Sequence, residues 1–387
     1  MMNIRIKNLL LRLKRFCGFS VGIVFFLSGL VKLMDPVGAG LVMNEYFQFL
    51  HIGFLEPADT FFGVAFALAE TIIGVGLVTG VWRRLMALTA LGLQAFFTLL
   101  TIFLVIFNPE MDCGCFGEAI HLTHMQTFLK NLVLLALLVT YTVPVRRLGQ
   151  PKKKKYVSFA IVSISSVAFM IYSLLYLPLI DFTHYHPGTS IKAESVSTED
   201  MYESVFVYEK DGISQTFTLE NLPDSTWTFV TTETISKGSE KSLSVLSFTD
   251  KEGEYADSLA TEGKVMVISI YDTDIDESDR KEIDRFISDA EKAGFKTLTL
   301  TASDATESTY TCDYKTLITL NRSNGGATYI NDGFIVSKWA KKSLPEYEEL
   351  AKISNEDLSD TLADKSAKTD VAFQGFLLYV FAVLLLL

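Results

Sequence analysis

Two cysteines with one glycine between them stand in the run Asp112-Cys113-Gly114-Cys115-Phe116-Gly117-Glu118. They are the residues of this chain best suited to chemistry. On the oxidising side of a membrane, sulfurs this close form a small disulfide ring, and the glycine permits the bend. Such a ring is strained and is a better oxidant than a structural disulfide. Three readings stay open: a redox pair that turns over, a disulfide that only locks a loop, and a metal site. The metal reading rests on His121 and His124, which follow the pair, with His184 and His186 farther on. Thiolate and imidazole together suit Zn²⁺ or copper. The same two histidines serve equally as interfacial caps of the next helix. Cys312 is either a relay partner for the pair or an ordinary buried thiol.

A second set is polar residues in apolar surroundings. Glu70 and Gln94 fall near the middle of two antiparallel apolar runs, at similar depth. An ionised carboxylate there costs roughly 3 kcal/mol on the insertion scale. Glu70 is therefore expected to be protonated or paired, with Gln94 as the nearest candidate. The two residues either bound a quinone site beneath the cysteines or glue helices together, with Gly63, Ala67, Gly74 and Gly76 allowing close approach. Lys130, beside Asn131, lies close in depth to the cysteines. It either lowers a thiol pKa or snorkels to the headgroups.

The elements that must position these residues are membrane spans. The chain has 387 residues, 49% hydrophobic and only 20% charged, with a mean hydropathy of +0.30. That balance excludes a disordered chain and a nucleic-acid-binding one. Residues 1–180 carry a net +7 and residues 181–387 a net −18, within a total of −11. A basic, apolar first half thus precedes an acidic, polar second half, which anionic lipid and nucleic acid would repel. Five runs reach the length of about 20 apolar residues that a span needs: 17–34, 60–81, 85–107, 125–143 and 156–180. A closing run, 371–387, is short, and either spans or is cut where the sequence stops. Lys and Arg cluster before the first run, between the second and third, and between the fourth and fifth. The N-terminus is then cytoplasmic, and the loops 35–59 and 108–124 and the region 181–370 face outward. Residues 1–34 read as a retained span, and Cys17 lies on the cytoplasmic side, away from the other sulfurs. The aromatic loop 36–59 is either an interfacial belt or a lid over the helices.

Past a linker at 181–200, alternating runs at 204–209, 214–220, 227–232 and 242–248 read as strands. From residue 263 the pattern becomes a strand (264–271), a helix capped by Asp276 and ended by Gly294, and a second strand (295–301). A third strand (317–320) follows, then a hairpin turning at Asn331-Asp332-Gly333, and a helix opened by Pro345 through about 353. Asp272, Asp274 and Asp276 resemble a calcium loop weakly and read as a solvated helix start.

The run TLITLNRSNGGATYINDGFIVSKWA (316–340) and its element order resemble the C-terminal half of thioredoxin-like domains. The cysteine pair of that family is missing, since its place reads Asp272-Thr273-Asp274-Ile275-Asp276, and Gly325-Gly326 stand where the family keeps a proline. Such a domain exchanges no disulfides by itself. LSGLVKLMDP (27–36), LAETIIGVGLVTGVWRRLMAL (68–88) and CGCFG (113–117) resemble the DoxX-like and MauE-like membrane families. The pairing with a thioredoxin-like domain resembles DoxX family proteins of Bacteroidetes-type bacteria. The resemblance implies a four-helix inner-membrane bundle with extra spans, joined to an α/β thioredoxin-like extracytoplasmic domain. For the MauE branch it implies methylamine-dehydrogenase maturation, in disulfide handling. No methylamine-specific residue is visible, so the redox theme alone is carried over. The expected organisation is a bundle at 1–150, a fifth span at 151–180, a linker and β-rich segment at 181–262, the thioredoxin-like domain at 263–370 and the closing hydrophobic segment at 371–387. Two functions compete. One is a thiol–disulfide component in which Cys113 and Cys115 serve a periplasmic client protein and are re-oxidised by a membrane acceptor such as a quinone or by a partner, assisted by Glu70, Gln94 and Lys130. The other is a non-enzymatic anchor or assembly factor whose outer domain binds a partner.

Overall fold

The computed structural model describes residues 4–109, 111–143, 151–192, 202–210, 213–218, 228–236, 246–272 and 275–387. Ten α-helices and ten strands are defined among them. The apolar half forms α1 (Ile4–Met34), α2 (Pro36–Phe49), α3 (Asp59–Thr79), α4 (Arg83–Phe107), the short strand β1 (Cys115–Glu118), α5 (His124–Thr142) and α6 (Lys153–Leu175). All but α2 and β1 are long and apolar enough to cross a membrane, and so is a sixth helix at the end of the chain. Helices α1 and α3 touch backbone to backbone. A Cβ on Gly29 would collide with Ala67 and Thr71, and one on Gly74 with the backbone of Phe26 and Gly22. Small residues at a helix crossing replace the hydrophobic drive that lipid cannot supply.

The aromatic segment after α1 is helical. Asp35 caps α2 by accepting from the Gly38 N–H at 2.9 Å, and Pro36 sits at the first helical position. A 3₁₀ turn, Gly53–Ala58, leads into α3. Phe54 stays exposed, as an interfacial belt requires, but Tyr46 and Phe47 turn inward and are buried.

The polar half holds two sheets. Strands β2 (Tyr202–Lys210), β3 (Ile213–Thr218) and β4 (Thr228–Ser236) form an antiparallel sheet in the order β3-β2-β4. The strand expected at 242–248 falls mostly outside the described residues, and only β5 (Phe248–Thr249) is seen. The second sheet adds β6 (Lys264–Ile270), β7 (Lys296–Thr301), β8 (Tyr310–Cys312), β9 (Gly326–Asn331) and β10 (Phe334–Trp339), in the order β10-β9-β6-β7-β8-β5. Helix α7 (Glu277–Lys292) joins β6 to the parallel β7. The hairpin turn works as the sequence implies: Asp332 and Gly333 both take positive φ, 48° and 79°, which suits a tight two-residue reversal.

Three expectations need correction. Residues 317–320 are not a strand but the end of α8 (Tyr314–Leu320). The β-branched Thr316, Ile318 and Thr319 suggest a strand, but Asp313 caps a helix by accepting from the Thr316 N–H at 2.9 Å, and Leu317 and Leu320 are buried one turn apart. The helix after Pro345 is α9 (Tyr347–Asn355), and the closing run is not a short segment from 371. It is α10 (Leu358–Leu386), capped by Asp357, which accepts from the Ser359 N–H. Its distal half packs on α6 through the Ser165–Tyr379 hydroxyl pair at 3.0 Å. The linker is also less free than its composition suggests. The Gly188 N–H donates to Ile335 O at 2.7 Å, the Ile191 N–H donates to Gly333 O at 2.8 Å, and Tyr185 and Ile191 enter the core. Of the weak calcium run, residues 273 and 274 lie outside the described residues.

Charge holds the two halves together. Arg322, between α8 and β9, is 4% exposed. Its Nε donates to Asp35 Oδ2 at 3.0 Å, its Nη2 to Glu118 Oε1 at 3.0 Å and its Nη1 to Ile318 O at 3.2 Å. Lys338 pairs with Asp181 at 2.7 Å, and Lys315 pairs with Glu45. Burial alone would raise the Asp181 carboxyl, but the Lys338 ammonium and the Thr183 hydrogen bonds bring it below the usual carboxylate range.

Arg322→Ala leaves Asp35 and Glu118 side by side without their shared cation. Losing one partner of a buried pair costs about 3–5 kcal/mol. Thermal unfolding of the full chain in detergent is expected to show a clearly lowered midpoint, whereas Lys281→Ala, which breaks the exposed pair to Glu277, shifts it little. An unchanged midpoint in Arg322→Ala contradicts this account of the junction.

Candidate functional site

Beneath the Cys113 loop, α1, α2, α3, α4 and α5 enclose a cavity of about 230 Å³. Cys113, Cys115, Glu70, Gln94 and Lys130, singled out from separate stretches of sequence, all line it. Most of the wall is apolar, with Phe66, Phe96 and Phe97 on one side; Phe66 stacks on Phe96 with ring centroids 6.2 Å apart. A mostly apolar chamber with a few converging polar groups is the usual form of a small-molecule site.

The partner of Glu70 is Lys32, not Gln94. The Lys32 ammonium donates to both carboxylate oxygens of Glu70, at 2.8 and 3.0 Å. Read along the sequence, Lys32 is a rim charge at the end of its span, so its inward turn was not visible there. On an α-helix Lys32 lies one turn beyond Ser28, on the same face, and both face Glu70 across the α1–α3 contact. Gln94 donates instead to the Asn131 carbonyl at 3.2 Å, and Asn131 Nδ2 reaches Thr101 Oγ1 at 3.4 Å. Gln94 and Asn131 therefore tie α4 to α5 at the edge of the cavity.

Ser28 connects the buried carboxylate to the cysteine loop. Its hydroxyl lies 2.8 Å from Glu70 Oε2 and 2.7 Å from the Cys115 carbonyl. A hydroxyl carries one proton, so at any moment it serves only one of these two acceptors. Nothing in the sequence except its helical spacing from Lys32 marked this serine.

The loop itself is shaped by Gly114 and covered by α2. Gly114 takes φ +60°, and a Cβ there would run into Val42. The Tyr46 hydroxyl donates to the Cys113 carbonyl at 3.1 Å, and burial raises its pKa, so it stays a donor. Val42, Met43, Tyr46 and Phe47 line the cavity, so of the two readings of segment 36–59 the geometry favours the lid. All four cysteines are free thiols in the structure, Cys113 buried and Cys115 half-buried. Burial pushes the Cys113 thiol up, and the nearby Thr127 hydroxyl and Lys130 ammonium offset only part of that. Lys130 lies over the Phe116 ring, 5.0 Å from its centroid.

The histidines stand apart from the cavity. His124 Nε2 is 3.0 Å from the Met111 carbonyl and Nδ1 is 3.3 Å from Asn108 Oδ1, so this ring fastens the loop to the end of α4. His121 is 3.4 Å from Asp112 and stacks on His184. Among the described residues no group of three His, Cys, Asp or Glu side chains gathers to hold a metal. Cys312 is a core residue of the second sheet. Its Sγ–H donates to Ser247 O at 3.3 Å, and burial pushes its pKa up to about 12.

Among the described residues six helices are long and apolar enough to cross a membrane, four of which (α1, α3, α4 and α5) wall the cavity; they fit a multi-pass membrane protein, joined to a region of mixed sheet and helices compatible with an α/β domain. Residues 9–144 match the family model described as Methylamine utilisation protein MauE, so the bundle is similar to that family across every cavity residue named above. Residues 202–237 match a second model, Domain of unknown function (DUF8463). No curated protein and no solved structure matches the chain.

Because the thiolate is the reactive form, a raised pKa makes Cys113 slow to react at neutral pH and faster as pH rises. Maleimide labelling, resolved residue by residue by mass spectrometry, is expected to place its midpoint above that of an ordinary thiol, about 8.5. Full reactivity at pH 7 would contradict the burial of Cys113.

Proposed function

We propose that this protein is an inner-membrane thiol–disulfide component of the MauE type, in which Cys113 and Cys115 exchange electrons between an extracytoplasmic client and a quinone held in the cavity below. In this reading the N-terminus is cytoplasmic and residues 181–370 are periplasmic. The observation that carries the proposal is the convergence on one cavity of the cysteine pair, the Lys32–Glu70–Ser28 cluster, Lys130 and a phenylalanine wall. The fit to a quinone is chemical. The aromatic wall suits a flat ring, and the ammonium and hydroxyl suit its carbonyl oxygens.

A client dithiol attacks the Cys113–Cys115 disulfide. The client's sulfur–sulfur bond forms as that of the pair breaks, through a mixed disulfide, and the pair becomes two thiols. Re-oxidation removes two electrons and two protons from the pair and delivers them to the quinone, which leaves as quinol. Cys115, the more open sulfur, meets the client, and Cys113 is the inner one. Ser28 and Glu70, which touch the loop and the cavity floor, carry protons between them.

The α/β region is read as a thioredoxin-like domain without its own cysteine pair. The parallel β6–α7–β7 unit followed by the β9–β10 hairpin supports that reading. Its task is to dock the client. Arg322 supports a fixed placement, since it reaches Glu118, which lies in the same short strand as Cys115.

Thiol trapping in intact cells tests the proposal. Cys113 and Cys115 are expected to be a disulfide in part of the population and to accumulate as thiols when quinone synthesis is blocked. A pair that stays wholly oxidised or wholly free in both conditions, or a Cys113→Ser/Cys115→Ser variant with unaltered client disulfides, overturns it in favour of a non-enzymatic anchor.

A further inference from the structure

At the end of the bundle opposite the Cys113 loop, residues of α1, the α3–α4 turn, α5 and the segment entering α6 enclose a second cavity, of about 650 Å³. It is independent of the redox reading. Arg15, Arg83, Lys152 and Lys155 line it, and among the described residues no acidic side chain does. The Lys155 ammonium rests on the carbonyl of Leu387. Among the described residues no ion pair joins Arg15, Arg83 or Lys152.

The position of Arg83 is the telling one. Its Nη1 is buried and has no hydrogen-bond partner. Buried guanidinium nitrogens nearly always find an acceptor, and an unmet one is costly. Gly80, which ends α3 with φ +74°, makes room for that side chain. A Cβ there would stand 2.7 Å from Arg83 Nε and 2.8 Å from Nη2. The arginine is thus folded against the end of α3 with one donor unmet, in a cavity that holds three further cations.

The rest of the lining divides by polarity. Thr79 and Tyr141 supply hydroxyls, while Phe16, Phe19, Leu77 and Val78 supply an apolar wall. Cations call for an anion of the phosphate kind, to which guanidinium forks are matched. A free phosphate has no use for two phenyl rings and aliphatic side chains. An amphiphile with a phosphate head satisfies both parts of the wall, and the cavity lies at the ends of the span-length helices α3 and α4, where the headgroups of a bilayer would stand.

We propose that this basic cavity binds the headgroup of an anionic phospholipid, with Arg83 and Arg15 on the phosphate, Lys152 at the rim, and the first acyl carbons against Phe16, Phe19 and Leu77. The lipid fastens the α3–α4 turn to α1 and to the start of α6.

Native mass spectrometry of the full chain released from detergent tests this, with phosphatidylglycerol, phosphatidylcholine of the same acyl chains, and inorganic phosphate offered in turn. Phosphatidylglycerol is expected to bind about tenfold more tightly than phosphatidylcholine, and phosphate to leave no adduct at the same concentration. Arg83→Gln is expected to erase most of that preference. Lys152→Gln, at the rim and away from helix packing, is expected to reduce it about threefold with thermal stability intact. Equal binding of the two lipids overturns the proposal, as does a preference kept in both variants. A phosphate adduct as strong as that of phosphatidylglycerol assigns the cavity to a free anion and overturns the lipid.

Discussion

The bundle is organised around the ion pair of Lys32 and Glu70. A carboxylate in an apolar membrane interior is tolerated only with a partner at hydrogen-bond distance, and α1 must come very close to α3 to bring one. The glycines at the α1–α3 crossing permit that approach, and the pair then fixes the rotation of α1 about its axis. Ser28, on the same face of α1, is carried to the Cys115 carbonyl as a consequence. The position of the cysteine loop above the cavity thus follows from how a single charge is neutralised below it. Removing either member alone would leave the other buried without compensation, which is why such pairs hold geometry more firmly than they add stability.

A second charge system settles how the polar half sits on the bundle. Arg322 is surrounded by Asp35, which also caps α2, and by Glu118 of β1. One guanidinium therefore ties together the helix that roofs the cavity, the strand that begins at Cys115 and the loop before β9. The Asp181–Lys338 pair adds a second tether at the start of the linker. Arg322 reaches Glu118 in the short strand that begins at Cys115, so a change in the cysteine loop and a change in the polar half are mechanically linked. In the proposed function this linkage lets occupancy of the outer domain bear on the cysteines.

Much of this was legible in the sequence, for identifiable reasons. The spans follow from uninterrupted apolar runs, and the β9–β10 hairpin from Asn331-Asp332-Gly333, because few residues tolerate two successive positive φ values. Cys113, Cys115, Glu70, Gln94 and Lys130 stand out because each is chemically conspicuous where it occurs, and the fold gathers all five around one cavity. What stayed hidden depends on tertiary approach. Lys32 at the end of a span looks the same whether it snorkels outward or turns in to a carboxylate. Ser28 is silent until α3 and β1 are placed beside it. The strand expected at 317–320 failed because Asp313 capping outweighed local β-branched content. Arg322 carries no motif at all; its role exists only once Asp35 and Glu118, from two distant stretches, meet it.

The account rests on the cysteine loop and the Lys32–Glu70 cluster acting as one site. The most direct measurement is the rate at which a short-chain quinone oxidises the reduced Cys113/Cys115 pair in purified protein held in lipid nanodiscs, compared between the native chain and Glu70→Gln. Losing one charged, positioned hydrogen-bonding group is expected to slow that oxidation about tenfold to a hundredfold, measured on variant protein that retains its helical content and both thiols. An oxidation rate identical in the two proteins would contradict the claim that the buried carboxylate and the sulfurs form a single site.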